Sequence, residues 1–241
     1  MIEWHDEGIV LSARPHGENA AILDLFTRAH GRHAGVVRGG TGRRLRPVLQ
    51  PGADLSVQWR ARLEEHLGAF TIEPLRARFA LAGNRLTLAG LASVTALLSL
   101  ALPERDPHPA LHAATGALLD LDAPPEDWAR AYLGWEMRLL EDLGFGLDLS
   151  RCAVSGAREG LAFVSPRSGR AVARGAAADW EARLLPLPPV MLGQAAGAAA
   201  DLVAALSTTG WFIGSRLLAS QGDRPLPSAR ARLVQEISRL A

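Results

Sequence analysis

The chain has 241 residues, 48% hydrophobic and 21% charged, with a formal net charge of +1, a globular balance far from that of a disordered chain. Its 26 basic residues are all arginine, so a Walker-type phosphate loop, a Schiff-base enzyme and a kinase site, each of which needs a lysine, are excluded. Cys152 is the single cysteine, which rules out an intrachain disulfide and any zinc site built on several thiolates.

Residues 8–14, 20–28, 31–38, 54–63 and 66–72 are short, apolar-rich and separated by Gly, Pro or Asn clusters, which predicts five strands. With no helix-period segment between them, they predict a small barrel such as the five-stranded OB-fold, an SH3-like barrel being the competing architecture. Alternation along the fourth strand puts Leu55, Val57, Trp59, Ala61 and Leu63 on one face and Gln58, Arg60 and Arg62 on the other. Trp59 is therefore expected in the core.

Charge is uneven along these elements: +2 over residues 1–83, −6 over 84–150 and +5 over 151–241. No acid occurs between Asp24 and Asp54, whereas Arg28, Arg32, Arg38, Arg43, Arg44 and Arg46 do, beside His30 and His33. Guanidinium forks match phosphate oxygens and stack on bases, which suits a single-strand groove; the alternative is a solvated loop with incidental charge. Arg60 and Arg62 would extend the same basic surface, and Arg43, Arg44 and Arg46 lie in a glycine-bearing loop between two strands.

Helical spacing begins at residue 84 with Leu86, Leu88, Leu91, Val94, Leu97, Leu98 and Leu102. A second helix is predicted over 107–121 and a third from Pro124-Pro125-Glu126 to Gly144. Two short apolar runs flank Pro166-Arg167-Ser168-Gly169 and predict a hairpin. Helix resumes over 199–218, with Gly210 and Gly214 as close-packing or kink positions, and over 228–240. The Ala-Gly run at 193–200 is the one low-complexity stretch. His108 and His112 stand at i and i+4 without an intervening glutamate and read as a solvated pair. Glu126, Asp127, Glu136, Glu141 and Asp142 read as the solvated face of an amphipathic helix. No nucleophile-elbow or dinucleotide-turn frame is present. On residues alone a binder of single-stranded nucleic acid, a small hydrolase on a barrel-plus-helix scaffold and a protein-binding adaptor stay open.

EGIVLSARPHGENAAILDLFTRAHGRHAGVVRGG at 7–40, LQPG at 49–52, WEMRLLEDLGFGLDLSRC at 135–152 and SPRSGRAV at 165–172, in this order and spacing, resemble the bacterial RecO recombination mediators. The resemblance implies an α+β chain: an OB-fold barrel over 1–80, then a mostly α-helical domain over 81–241 with a hairpin insertion at 150–175. It further implies binding to single- and double-stranded DNA, annealing of complementary strands without ATP, and no catalytic residue or cofactor. Contact with the acidic, apolar tail of single-strand-binding protein and pairing with RecR to help load RecA are implied as well. The single cysteine fits a reducing cytoplasm and no apolar run reads as a membrane span, so a cytoplasmic, nucleoid-associated protein without membrane contact is expected. Arg130, Tyr132, Trp135 and Arg138 are the expected slot for that tail. Many members carry a four-cysteine zinc site; here Cys152 stands with Ser155, Ala171 and Arg174, so a degenerate, metal-free, zinc-finger-like hairpin is expected, held by Leu161, Phe163 and Val172.

Overall fold

Alternation of buried and exposed side chains builds the barrel of the first unit. In the computed structural model, which describes residues 1–78, 81, 83–194, 199–222 and 224–240, β1 (Ile2–His16), β2 (Ala20–Thr27), β3 (Gly31–Arg38), β4 (Asp54–Ala61) and β5 (Ala69–Arg76) close in the order β1-β2-β3-β5-β4. That is the OB-fold arrangement. Leu55, Val57, Trp59 and Ala61 face inward as alternation requires, packed with Val10, Leu23, Leu25, Val37 and Phe70, whereas Leu63, expected on the same face, lies beyond the end of β4 and is exposed. Trp59 is 1% exposed. β1 serves two neighbours: Ile2 to Ile9 pair with β4, and Gly8 to His16 pair with β2. A bulge between Val10 and Ser12 bends it at the crossover, as bulges do at barrel corners.

β1 starts six residues before the predicted strand, because the charged run Glu3 to Glu7 hides an inward Trp4. The indole stacks 5.5 Å from Trp59 and 4.0 Å from His30. β5 is displaced toward the C-terminus relative to its predicted span, and Pro74 sits beside a bulge of the β4 ladder, where proline is tolerated.

Two helices complete this unit. α1 (Arg85–Ala101) is capped by the Asn84 side chain, which accepts the Leu86 N–H at 2.8 Å; α2 is Pro109–Leu119. Ile9 of the barrel clusters with Leu81, Leu91 and Leu119. The Arg78 guanidinium, 5% exposed, grips Asp54 at 2.8 and 2.9 Å and Asp120 at 2.8 Å. By compactness the chain divides into Met1–Asp120 and Leu121–Ala241, so α1 and α2 group with the barrel, not with the later helices. Residues 79, 80 and 82, at the expected boundary, lie outside the described residues. His108 and His112 are not a solvated pair: His108 approaches Asp106 at 3.5 Å, and His112 packs edge-on to Phe26 at 5.2 Å.

The second unit contains α3 (Pro125–Asp142), β6 (Leu161–Val164), β7 (Ala171–Ala173), α4 (Arg174–Ala177), β8 (Leu185–Pro186), α5 (Ala199–Phe212) and α6 (Ser228–Ser238). The predicted hairpin is β6–β7, and β8 adds a third strand in the order β7-β6-β8. The helix continues beyond α5 as a π-helical segment, Ile213–Leu218. Ala199–Gln221 is long and apolar enough to cross a membrane by composition, and 56% of its most apolar window is buried inside the protein, as in a core helix. Of the Ala-Gly run, residues 195–198 lie outside the described residues.

Glu136 overturns its expected place on a solvated face: it is fully buried. Arg230 of α6 meets it at 2.7 and 2.9 Å, Tyr132 donates to it at 2.7 Å, and Thr209 of α5 donates to its other oxygen. Gly210 is the close-packing residue anticipated, since a Cβ there would stand 2.5 Å from an Arg230 Nη. Helical periodicity alone hides such a pair, because the partner arrives from 94 residues away.

Two tests follow from this packing. Removing one partner of a buried pair strands the other charge, at a cost of roughly 3–5 kcal/mol. Glu136→Gln and Arg230→Met should each lower the unfolding free energy by that order in urea titrations, and Glu136→Leu/Arg230→Met should recover much of it; single variants of wild-type stability would refute the role.

The second test concerns His33, 4% exposed, with neither ring nitrogen hydrogen-bonded. Burial, with Arg105 and His30 nearby, lowers its pKa from 6.5 to about 4. Between those values the unfolded state binds more protons, so stability falls as pH falls, by roughly 3 kcal/mol at the lower end. His33→Phe should flatten the stability–pH curve in that window by about one proton; an unchanged slope would contradict this.

Candidate nucleic-acid interface

The connection from β3 to β4 is an ordered series of turns. Its frame is apolar: Leu49 is 3% exposed, and Leu45 and Val48 pack on the barrel core. The Arg46 N–H donates to Gly42 at 3.0 Å, the Leu49 N–H to Leu45 at 3.1 Å, and the Gln50 amide to the Arg46 carbonyl at 2.8 Å. Gly40 is buried, and a Cβ there would lie 2.7 Å from that of Ala21. The turns thus hold Leu45 and Leu49 inward and leave Arg43, Arg44 and Arg46 exposed.

Arg46 lines a cleft of about 470 Å³ with Arg14, Gly40, Thr41, Ala21 and Pro51. Arg38, exposed at the end of β3, pairs across the ladder with Ala20 beside it. Arg14, Arg38, Arg43, Arg44 and Arg46 thus gather at the C-terminal end of β1, and none of them makes an ion pair among the described residues. Arg14 was not singled out from the sequence, because it lies outside the acid-free stretch and reaches the loop only through barrel curvature. The described residues that line the cleft beside Ser12 and Thr41 include no histidine or carboxylate.

The remaining barrel candidates sit elsewhere. Arg28 is exposed at the β2–β3 turn, where its N–H donates to the Glu7 carbonyl. Arg32 is engaged within the protein, donating to both oxygens of Asp24 at 3.1 and 3.2 Å and to the Leu102 carbonyl at 3.3 Å. Burial pushes the Asp24 carboxyl up despite this partner. Arg60 pairs with Glu3 at 2.8 Å, and Arg62 is exposed near the N-terminal end of β1.

In the second unit the expected tail slot is not formed. Tyr132 is fully buried with its hydroxyl on Glu136, and Trp135 is 3% exposed; both are core residues. Arg130 is held by Asp127 at 2.6 Å, and Arg138 lies 3.6 Å from Glu141 and 3.8 Å from Asp142. The indole and phenol face inward because they continue the apolar stripe of α3.

Cys152 is buried against Val172, Ala173 and Ala177, with Leu161 and Phe163 completing the cluster. Burial would push its thiol up, but the Ala173 N–H at 3.2 Å, the Ser155 hydroxyl and the N–H groups of Ser155 and Val154 converge on sulfur and bring its pKa down to about 6. A tetrahedral zinc needs four donors. Cys152 is one; Ala171 and Arg174 offer none, so these residues do not fit the metal that the resemblance associates with this position.

Comparison with known proteins bears on both units. The model for the recombination protein O N terminal matches residues 1–78, and that for its C terminal matches residues 83–224. Proteins named DNA repair protein RecO from Cereibacter sphaeroides, Roseobacter denitrificans and Dinoroseobacter shibae are 58%, 55% and 55% identical to it, each alignment covering 99% of this chain and 99–100% of the relative. With an OB-fold barrel, a helical unit and both terminal models matched along its length, the chain belongs to the RecO family of DNA repair and recombination proteins.

Proposed function

We propose that this protein binds DNA through the arginine face at the C-terminal end of β1 and anneals complementary strands without ATP. The observation that carries the reading is the convergence of Arg14 and Arg46 in one cleft beside Arg38, Arg43 and Arg44, with no ion pair holding any of them among the described residues. Two complementary strands repel. Guanidinium groups on phosphates release counterions and lower that repulsion, while base edges stay available to the incoming strand. Pairing and stacking, about 1.4 kcal/mol per step, then drive the reaction, and no bond is made or broken. A DNA-bound annealer of this kind would act with single-strand-binding protein and RecR, and through them help to load RecA. These partnerships rest on the family resemblance.

The triple variant Arg43→Ala/Arg44→Ala/Arg46→Ala should lower the single-strand salt slope by about two units, at about 0.7 per phosphate contact. Affinity should fall uniformly across sequences, because phosphate contacts position a strand and do not read it. Stability should stay within ~0.5 kcal/mol, since Leu45 and Leu49 still hold the loop. Arg32→Ala should do the reverse, destabilising through Asp24 with little change of slope. A folded triple variant with the wild-type slope and annealing rate would overturn the site.

For the tail of single-strand-binding protein, the apolar cleft of about 530 Å³ formed by Pro186, Ala200, Val203, Ala204, Ser207 and Ser238 replaces the slot expected on α3. A phenylalanine-ended acidic peptide should bind the wild-type chain and fail to bind Val203→Asp, because an aromatic anchor in a pocket dominates small interfaces. Equal binding by both would exclude the cleft.

A further inference from the structure

The second unit carries an exposed aromatic–arginine face that the barrel reading does not use. Trp180 is 61% exposed, whereas Trp59, Trp128 and Trp135 are at most 3% exposed. It stands on the turn Ala178–Arg183, fixed at one end by buried Ala177 and at the other by Leu184, both packed in the Cys152 cluster. The Arg183 guanidinium lies over the indole, 5.2 Å from the ring centroid, and Arg174 lies over Phe163 at 5.3 Å. The Arg174 N–H donates to the Gly160 carbonyl at 2.9 Å, and Cys152 sulfur accepts from Ala173 at 3.2 Å. These bonds bring the segments bearing Arg158 and Arg151 onto the same small module. Arg151, Arg158 and Arg183 make no ion pair among the described residues, and Arg174 reaches Glu181 only at 3.9 Å.

We propose that Trp180 and its neighbouring arginines form a stacking platform for an unpaired base of single-stranded DNA, a contact of different chemistry from the phosphate-binding loop of the barrel. The proposal rests on the DNA-binding reading and adds to it a second strand contact on a separate unit. An indole accepts any base on its face, and guanidinium groups around it take the flanking phosphates. Residues 150–184 hold six arginines against Glu159, Asp179 and Glu181, so the charge complements a polyanion. An acidic peptide would also meet these charges, but it would need an apolar recess for an anchor, and Trp180 projects from a turn.

The test uses the full chain and an oligothymidylate carrying 5-iododeoxyuridine. Photocrosslinking followed by peptide mass spectrometry should place an adduct on Trp180. Trp180→Ala should weaken single-strand binding by about tenfold, the order expected for one stacked base, with Trp180→Phe retaining most of the affinity. Duplex affinity should stay unchanged, because paired bases are already stacked. If the wild-type chain binds the oligonucleotide and the barrel triple variant shows the lowered salt slope while Trp180→Ala binds as wild type, the platform is refuted and the DNA reading stands. Equal losses on single strand and duplex would refute stacking, as would displacement of an acidic peptide but not of DNA by Trp180→Ala. A wild-type chain that binds no single-stranded DNA would instead overturn the DNA reading itself.

Discussion

Closure of the barrel is the constraint on which the first unit depends. A five-stranded sheet with free edges would leave two rows of unpaired backbone groups. Here β1 removes one by pairing with β4 through its first half and β2 through its second, and β3 meets β5 in parallel at Val36 and Ala69. Because β5 inserts between β3 and β4, the chain cannot turn directly from β3 into its neighbour. It must travel from Arg38 to Asp54 before the ladder resumes. That obligatory excursion carries Arg43, Arg44 and Arg46, and its length is used to lay Leu45, Val48 and Leu49 over the barrel core. The polar side chains of the excursion are consequently left outside.

Without lysine, arginine carries both the structural and the surface cationic roles, and position relative to a carboxylate separates them. Arg78 is enclosed by Asp54 and Asp120, Arg32 by Asp24, and Arg230 by Glu136. In each case burial raises the cost of an unpaired charge, so the pair behaves as one unit. Arg14, Arg38, Arg43, Arg44 and Arg46 are exposed and make no such ion pair among the described residues, which suits transient contact with a mobile polyanion. A phosphate contact loses strength steeply with salt, whereas stacking on an indole is far less sensitive to it. An annealing protein that used both would hold a strand by its backbone at one place and by a base at another, leaving the intervening bases free to pair.

The strands, most of the helix starts and the basic loop were legible in the sequence, because each is decided by near neighbours. Alternation along Leu55 to Ala61 requires only a pleated backbone with one wet face. Pro125 and Gly144 mark the ends of α3 through their own backbone limits, and the acid-free run between Asp24 and Asp54 is visible by inspection. The family could be read for the same reason, since order and spacing of local motifs survive in the chain itself.

What only the tertiary structure decided concerns partners distant in sequence. Glu136 looks like any solvated helix carboxylate until Arg230, Tyr132 and Thr209 surround it, and Tyr132 and Trp135 look like a binding surface until the fold buries them. Arg32 and Arg46 are equivalent in the acid-free run, yet one is paired with Asp24 across the β2–β3 ladder and the other lines a cleft with Arg14. The physical reason is the same in each case. A side chain's periodicity is set by its own backbone, but its solvation and charge environment are set by whatever chain the fold brings against it.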